Sequence, residues 1–211
     1  MQIQKDLSTP YNPYFSALHV AKCGEFDLYK LNEVADYKFI KTLPKKVDFE
    51  TLMPGLKKES YSRWAEMLEY AVDNSSKPKN VTYVEAVDGK ICGIITYNPD
   101  KTTMLDCICT WPVELGQKVK FAGKALFYQM FQDALDLKVT RVILEAITNG
   151  PFYTVEKYKS IGFAETSKVY PTKVVMEINK YKIKDALDML KSLLQYRKVS
   201  RQRINLSDLA V

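Results

Sequence analysis

The sharpest pattern in the chain lies between residues 81 and 97. Val81 to Val87 and Ile91 to Tyr97 are runs rich in β-branched and aromatic residues, separated by Asp88-Gly89. An Asp-Gly pair between such runs predicts a hairpin, because a two-residue turn asks both central residues to accept positive φ. Asn98-Pro-Asp-Lys101 reads as the next turn, and Met104 to Trp111 as a third strand closed by Pro112. Ala122 to Leu137 then carries Ala122, Leu126, Met130, Phe131, Ala134 and Leu135 on a helical stripe. Gln129, Gln132, Asp133 and Asp136 fit its opposite, polar face. Val139 to Ile147 is apolar on both faces and predicts a strand lying centrally in the sheet. Asn149-Gly-Pro151 opens a helix that ends at Gly162, and Val174 to Ile178 is a late strand.

Before the hairpin, Phe26 to Val34 predicts a first strand and Asp36 to Leu43 a short helix that Pro44 ends. Glu59 to Val72 reads as a helix with Trp64, Met67, Leu68, Ala71 and Val72 on one side. After the late strand, Ile183 to Tyr196 carries Ile183, Leu187, Leu190 and Leu194 on one stripe, read as core packing. The order of elements predicts an α+β fold, a mixed and largely antiparallel central sheet flanked by helices. Three parts follow: an aromatic arm over residues 1–25 (Tyr11, Tyr14 and Phe15 among Pro10 and Pro13), a folded domain over 26–180, and a C-terminal helix with a basic, solvated tail over 181–211.

Composition narrows the function classes. The 211 residues suit one domain with appendages, and 46% hydrophobic with 27% charged residues is ordinary for a folded protein. No apolar run is long enough to span a bilayer, and Met1-Gln-Ile-Gln-Lys-Asp6 has no apolar signal core, which predicts a cytoplasmic protein. One histidine, His19, and four cysteines without a CxxC pair argue against a zinc site. Cys107 and Cys109 fall on one face of a strand, where buried thiols act as small hydrophobes. The net charge of +6 suits an anionic cofactor, an acidic partner or nucleic acid. Arg197, Lys198, Arg201 and Arg203 make the tail basic, but no nucleic-acid motif accompanies them.

The candidate chemistry begins at Lys118-Val-Lys-Phe-Ala-Gly-Lys124, between the third strand and the helix. Backbone N–H groups at a helix start are a place to hold phosphate. Helix dipoles disfavour cations at that end, so Lys118, Lys120 and Lys124 together suggest an anion.

Four segments in order carry a family resemblance. Tyr83 to Ile95 is similar to the D-G hairpin, and Lys118-Val-Lys-Phe-Ala-Gly123 to the pyrophosphate loop (Q/R)-x-x-G-x-(G/A). Leu144-Glu-Ala-Ile-Thr-Asn149 is similar to the strand that leads to an Asn, and Tyr158-Lys-Ser-Ile-Gly-Phe163 to the helix ending in Y-x-K-x-G-F. Over roughly residues 27–180 the chain resembles the GNAT superfamily of N-acetyltransferases. It departs from the family pattern at Phe121, where the loop has its first glycine, and at Lys118, which keeps a positive charge in place of Gln or Arg.

The resemblance implies an acetyl-CoA-dependent N-acetyltransferase acting on a small-molecule or peptide amine. It implies Tyr158 as the acid that meets the departing thiolate, and a carboxylate base. Glu145, on a strand face with Ile143 and Ile147, is expected to be buried with a raised pKa and stands first; Asp106 stands close behind, and Glu85 further back. A lysine-type amine with a pKa of about 10.4 needs such a base. Cofactor contacts are expected from Cys109, Thr110 and Trp111, from Lys118, Val119, Lys120, Phe121, Ala122, Gly123 and Lys124, and from Asn149. The alternative reading is a GNAT-like domain without turnover, a binding or structural module that assembles as a homodimer or larger body through its terminal extensions.

Overall fold

The computed structural model describes residues 17–115, 121–149 and 154–211. The strands are β1 (Ala17–Cys23), β2 (Phe26–Lys30), β3 (Val81–Val87), β4 (Lys90–Asn98), β5 (Thr102–Thr110), β6 (Arg141–Ile147), β7 (Ala164–Tyr170), β8 (Lys173–Asn179) and β9 (Tyr196–Ile204). The helices are α1 (Val34–Ile40), α2 (Leu43–Lys46), α3 (Phe49–Leu52), α4 (Lys58–Ser75), α5 (Ala122–Asp136), α6 (Thr154–Lys159) and α7 (Lys180–Leu194). The strands form one sheet in the order β7-β8-β6-β5-β4-β3-β2-β1-β9. Every pairing is antiparallel except β5 with β6. The mixed α+β class is as the sequence predicts. Among the described residues no helix is long and apolar enough to cross a membrane.

The hairpin forms for the reason its sequence gives. Asp88 and Gly89 have φ of 50° and 72°, so both turn residues take the left-handed conformation that a tight hairpin requires. Each face of the sheet then has its own core. On one face Leu126, Met130 and Phe131 of α5 pack with Ile183, Leu187 and Leu190 of α7. On the other, Leu68, Ala71 and Val72 of α4 pack with Ile40, Leu43 and Phe49. The α7 stripe is core, and Asn179 caps that helix by accepting from the N–H groups of Tyr181 and Lys182.

Several elements differ from the sequence reading. Ala17–Cys23 of the expected arm is a strand, and Tyr196–Ile204 of the expected solvated tail pairs with it. Tyr196–Ile204 lacks an apolar alternation because it is an edge strand held by backbone pairing, so its pattern carries no strand signal. The aromatics of residues 11–15 lie outside the described residues. β7 is likewise an edge strand, and nearly all its side chains are exposed.

The polar face assigned to α5 is divided. Asp133 turns inward and accepts from the hydroxyls of Tyr83 (2.7 Å) and Tyr97 (2.6 Å), while Gln129 donates to its other oxygen at 3.0 Å. Two tyrosines buried in the sheet need hydroxyl partners, and α5 supplies one carboxylate for both.

Glu85 of β3 is wholly buried beneath the α5 side of the sheet, and neither carboxylate oxygen has a hydrogen-bond partner among the described residues. Its register partner on β4 is Gly93. A Cβ there would overlap Glu85 Oε1 and stand 2.9 Å from Cγ, so glycine is what lets the carboxyl group fit. Burial pushes this carboxyl well above the usual carboxylate range.

Candidate active site

The site arises where two strands part. β5 and β6 pair in parallel only over Thr102–Met104 and Arg141–Ile143. Beyond these residues β5 runs on to Thr110 and β6 to Ile147 with no pairing between them. The gap leaves main-chain groups of β5 unpaired on that side. Trp111 N–H donates to Cys92 O at 2.8 Å, toward β4, and alternation along the strand directs the Ile108 main chain toward the gap. Thr110 O is already held there by the indole N–H of Trp64, at 3.1 Å.

Two clefts open from this gap. One, of about 620 Å³, lies between α4 and the splayed strands, and its walls include Arg63, Met67, Tyr70, Asp106, Glu145 and Lys173. The other, of about 470 Å³, lies between Trp64, the start of α5 and α6. Met67, Ile108, Thr154 and Tyr158 line both, so the clefts meet at Tyr158.

Tyr158 is set there by α6, which is tied to the end of β6 by Thr154 Oγ1 donating to Ile147 O at 2.7 Å. Its half-buried ring packs edge-on against Phe127 and Phe163, at 5.8 and 6.1 Å between centroids. Its hydroxyl makes no hydrogen bond to the described residues. Burial, and to a lesser degree the nearby Cys107, pushes the phenol above its ordinary value, so it remains a proton donor at neutral pH.

Asp106 is aimed by a β-bulge. Thr96 pairs with Cys107 and Tyr97 with Leu105, so Asp106 is the extra residue on β5 with no partner on β4. Bulges re-aim side chains in this way. Asp106 Oδ2 accepts from Asn80 Nδ2 at 2.8 Å. Burial pushes its carboxyl up, and the Asn80 bond and the Lys77 charge offset part of that. The neighbouring Cys107 thiol donates to Met67 O at 3.2 Å, and burial pushes it up to about 12. That thiol is therefore a poor nucleophile, since the thiolate is the reactive form.

Glu145 departs from expectation. Its side chain is 45% exposed and lies 2.6 Å from Lys173 Nζ. β6 loses its β5 neighbour after Ile143, so the Glu145 face opens on the cleft rather than on a core. Glu85 lines neither cleft.

At the start of α5, Phe121 takes a conformation that favours glycine. Phe121 has φ 72° and ψ 2°, caps α5, and accepts from the N–H groups of Lys124 (2.9 Å) and Ala125 (3.0 Å). The N–H groups of Ala122 and Gly123 have no acceptor within the helix and lie at its positive end. The Phe121 ring is 41% exposed and sits under the Lys124 ammonium, 5.2 Å from Nζ to centroid. Gly123 is not demanded by packing. A Cβ there would meet Ile108 Cδ1 at 3.7 Å and Thr110 Cγ2 at 4.0 Å, so the glycine keeps open a strip between α5 and β5 that a methyl would fill.

These features fit a coenzyme A thioester: unpaired N–H groups at a helix start, a lysine in its first turn, an open strip over Gly123 and an Ile108 main chain turned toward the gap. Lys118, Val119 and Lys120, expected among the phosphate contacts, lie outside the described residues. Phe121, Ala122, Gly123, Lys124, Cys109 and Thr110 line the second cleft. Asn149 lines the first cleft instead. Trp111 does not wall the site. It is 3% exposed in the α4-side core, edge-on to Phe49 at 6.3 Å. Trp64 rather than Trp111 lines the second cleft, because α4 crosses β5 at Thr110. Arg63, Met67, Tyr70 and Lys173 also line the clefts, and their spacing in sequence carries no signal of it.

No family model matches the chain, and no curated protein matches it. Among solved structures, the chain is similar to apo FdhC, a nucleotide-linked sugar GNAT, with a TM-score of 0.54 at 16% identity, over 83% of this chain and 98% of that one. It is also similar to the PaiA N-acetyltransferase from Thermoplasma acidophilum in complex with coenzyme A, with a TM-score of 0.51 at 15% identity, over 73% of this chain and 98% of that one. The splayed β5–β6 pair, the helix that starts beside it and these likenesses lead to one statement: this chain has the fold of the GNAT acetyltransferases.

Proposed function

We propose that the protein is an acyl-CoA-dependent N-acetyltransferase. The observation that carries this reading is the meeting of two clefts at Tyr158, one suited to a phosphorylated thioester and one containing a partly buried carboxylate. Bound acetyl-CoA supplies the thioester carbonyl that is attacked and the thiolate that leaves.

The chain's own residues do the rest. The N–H groups of Ala122 and Gly123 and the Lys124 ammonium hold the pyrophosphate, with Lys118 and Lys120 adding charge. The Ile108 main chain aligns the pantetheine arm as an added strand would. Asp106 accepts the ammonium proton of the acceptor, freeing the lone pair that forms the new N–C bond. Tyr158 gives its proton to sulfur as the C–S bond breaks; the second proton shed by the nitrogen as the amide forms restores Tyr158, and the proton on Asp106 passes to solvent. Direct attack is favoured because Cys107, the thiol beside the junction, is held neutral by burial.

Glu145, with its charge matched by Lys173, shapes the rim rather than acting as base in this reading. The test is thioester consumption with a panel of amines. Turnover that Tyr158→Phe and Asp106→Asn both suppress supports the reading. Turnover that neither variant changes overturns the assignment.

A further inference from the structure

We infer that the acceptor is a primary amine bearing a single positive charge on an apolar, ring-sized body. This rests on the acyl-transfer reading above. Two ion pairs in the first cleft close on themselves: Arg63 with Glu66 at 2.8 Å on α4, and Lys173 with Glu145 at 2.6 Å across β8 and β6. Asp106 remains as the lining carboxylate with no cation within ion-pair distance among the described residues. Its bonded partner is the neutral Asn80 amide, and Lys77 contributes only a weaker field. Among the described residues the cleft thus has one negative charge to match, at the β5 bulge.

Part of the wall that Asp106 shares is apolar. Tyr70 and Met104 are 53% and 41% exposed, and Met67 and Ile147 continue the wall. Large apolar side chains left this open beside a carboxylate are covered well by a ligand with an ammonium head and a hydrophobic body. A polyamine would bring further cations against Arg63 and Lys173, whose counter-ions are already used. A phosphorylated amine would have to compete with Glu66 and Glu145 for the same two cations. An amino sugar would set hydroxyls against the apolar surface of Met67, Met104 and Ile147, which offers them no hydrogen bond.

The experiment compares 2-phenylethylamine, spermidine, glucosamine and O-phosphoethanolamine as acceptors with saturating acetyl-CoA. The expected result is a kcat/KM for 2-phenylethylamine at least tenfold above each of the others. Tyr70→Ala should raise its KM with little change in kcat, and Tyr70→Phe should restore it. Preference for any other member of the panel overturns the inference, as does a KM that Tyr70→Ala leaves unmoved. Acetyl-CoA binding is measured separately by thermal shift. Binding with none of the four amines accepted overturns the acceptor class alone, whereas failure to bind overturns the acyl-transfer reading beneath it.

Discussion

Lys124 Nζ stands 5.2 Å from the centroid of the Phe121 ring, and that ring is carried by a residue with φ of 72°. The residue that breaks the family's loop pattern thus takes the left-handed conformation that favours glycine. A bulky residue held at positive φ costs on the order of 1–3 kcal/mol, which the fold must offset elsewhere. Phe121→Gly should relieve part of that strain, and should leave the stabilisation by acetyl-CoA equal to or greater than that of the parent. Phe121→Val, β-branched at the same φ, should lower the melting temperature and weaken the effect of acetyl-CoA. Melting curves of both variants with and without ligand check this.

Tyr158 packs edge-on against Phe127 and Phe163, and its hydroxyl lacks a hydrogen bond among the described residues. Removing only the hydroxyl should leave stability and acetyl-CoA binding near parental values. If the hydroxyl is the acid, Tyr158→Phe should lower kcat by about 10²–10⁴-fold. A packing tyrosine would show no such split between rate and binding.

Asp106 must be deprotonated to act as base, and burial raises its carboxyl. Activity should therefore be low in acid and rise with pH through a carboxyl pKa above the ordinary value of about 3.9. In Asp106→Asn the rate should fall by about 10²-fold or more and this acid limb should vanish. Glu145→Gln, which removes an exposed ion-pair partner, should leave the limb in place. A pH–rate profile of the three proteins distinguishes the two carboxylates.

Glu85 makes a separate prediction about stability. Its carboxyl is raised by burial in the folded state and ordinary in the unfolded one. Below the unfolded pKa of about 4.3 both states are protonated and the group costs nothing by linkage. As pH rises above that value the unfolded state gains by ionising, so folding stability declines toward the raised folded pKa. Glu85→Gln should be more stable than the parent at pH 7, with the difference closing near pH 4. Gly93→Ala should destabilise at every pH, by about 1–3 kcal/mol, because its methyl meets the Glu85 side chain. Denaturant titrations at several pH values check both.

Local chemistry was legible in the sequence wherever it acts over a few residues. The Asp88-Gly89 turn, the α5 start at Ala122 and the α7 stripe follow from turn geometry and helical period. Asp106 was legible as a candidate base only through the resemblance, and the bulge that aims it was not, since it depends on register with Thr96 and Tyr97. Trp64 and Trp111 look alike in sequence. Which one walls the cleft is decided by where α4 crosses β5, which composition does not encode. The burial expected for Glu145 failed for a related reason, because a strand's apolar pattern does not reveal that its neighbour leaves after Ile143. Tyr196–Ile204 was missed because a basic edge strand lacks a hydrophobic period.

Binding of an acyl-CoA thioester in the second cleft is measured by a thermal shift with acetyl-CoA. Ligand at a hundred times its Kd stabilises the folded state by about 2.7 kcal/mol. For a chain of about this length that is a rise of roughly 5–10 °C. Such a rise is expected at millimolar acetyl-CoA, reduced by Lys120→Glu and by Lys124→Glu. An unchanged melting temperature at millimolar acetyl-CoA would contradict it.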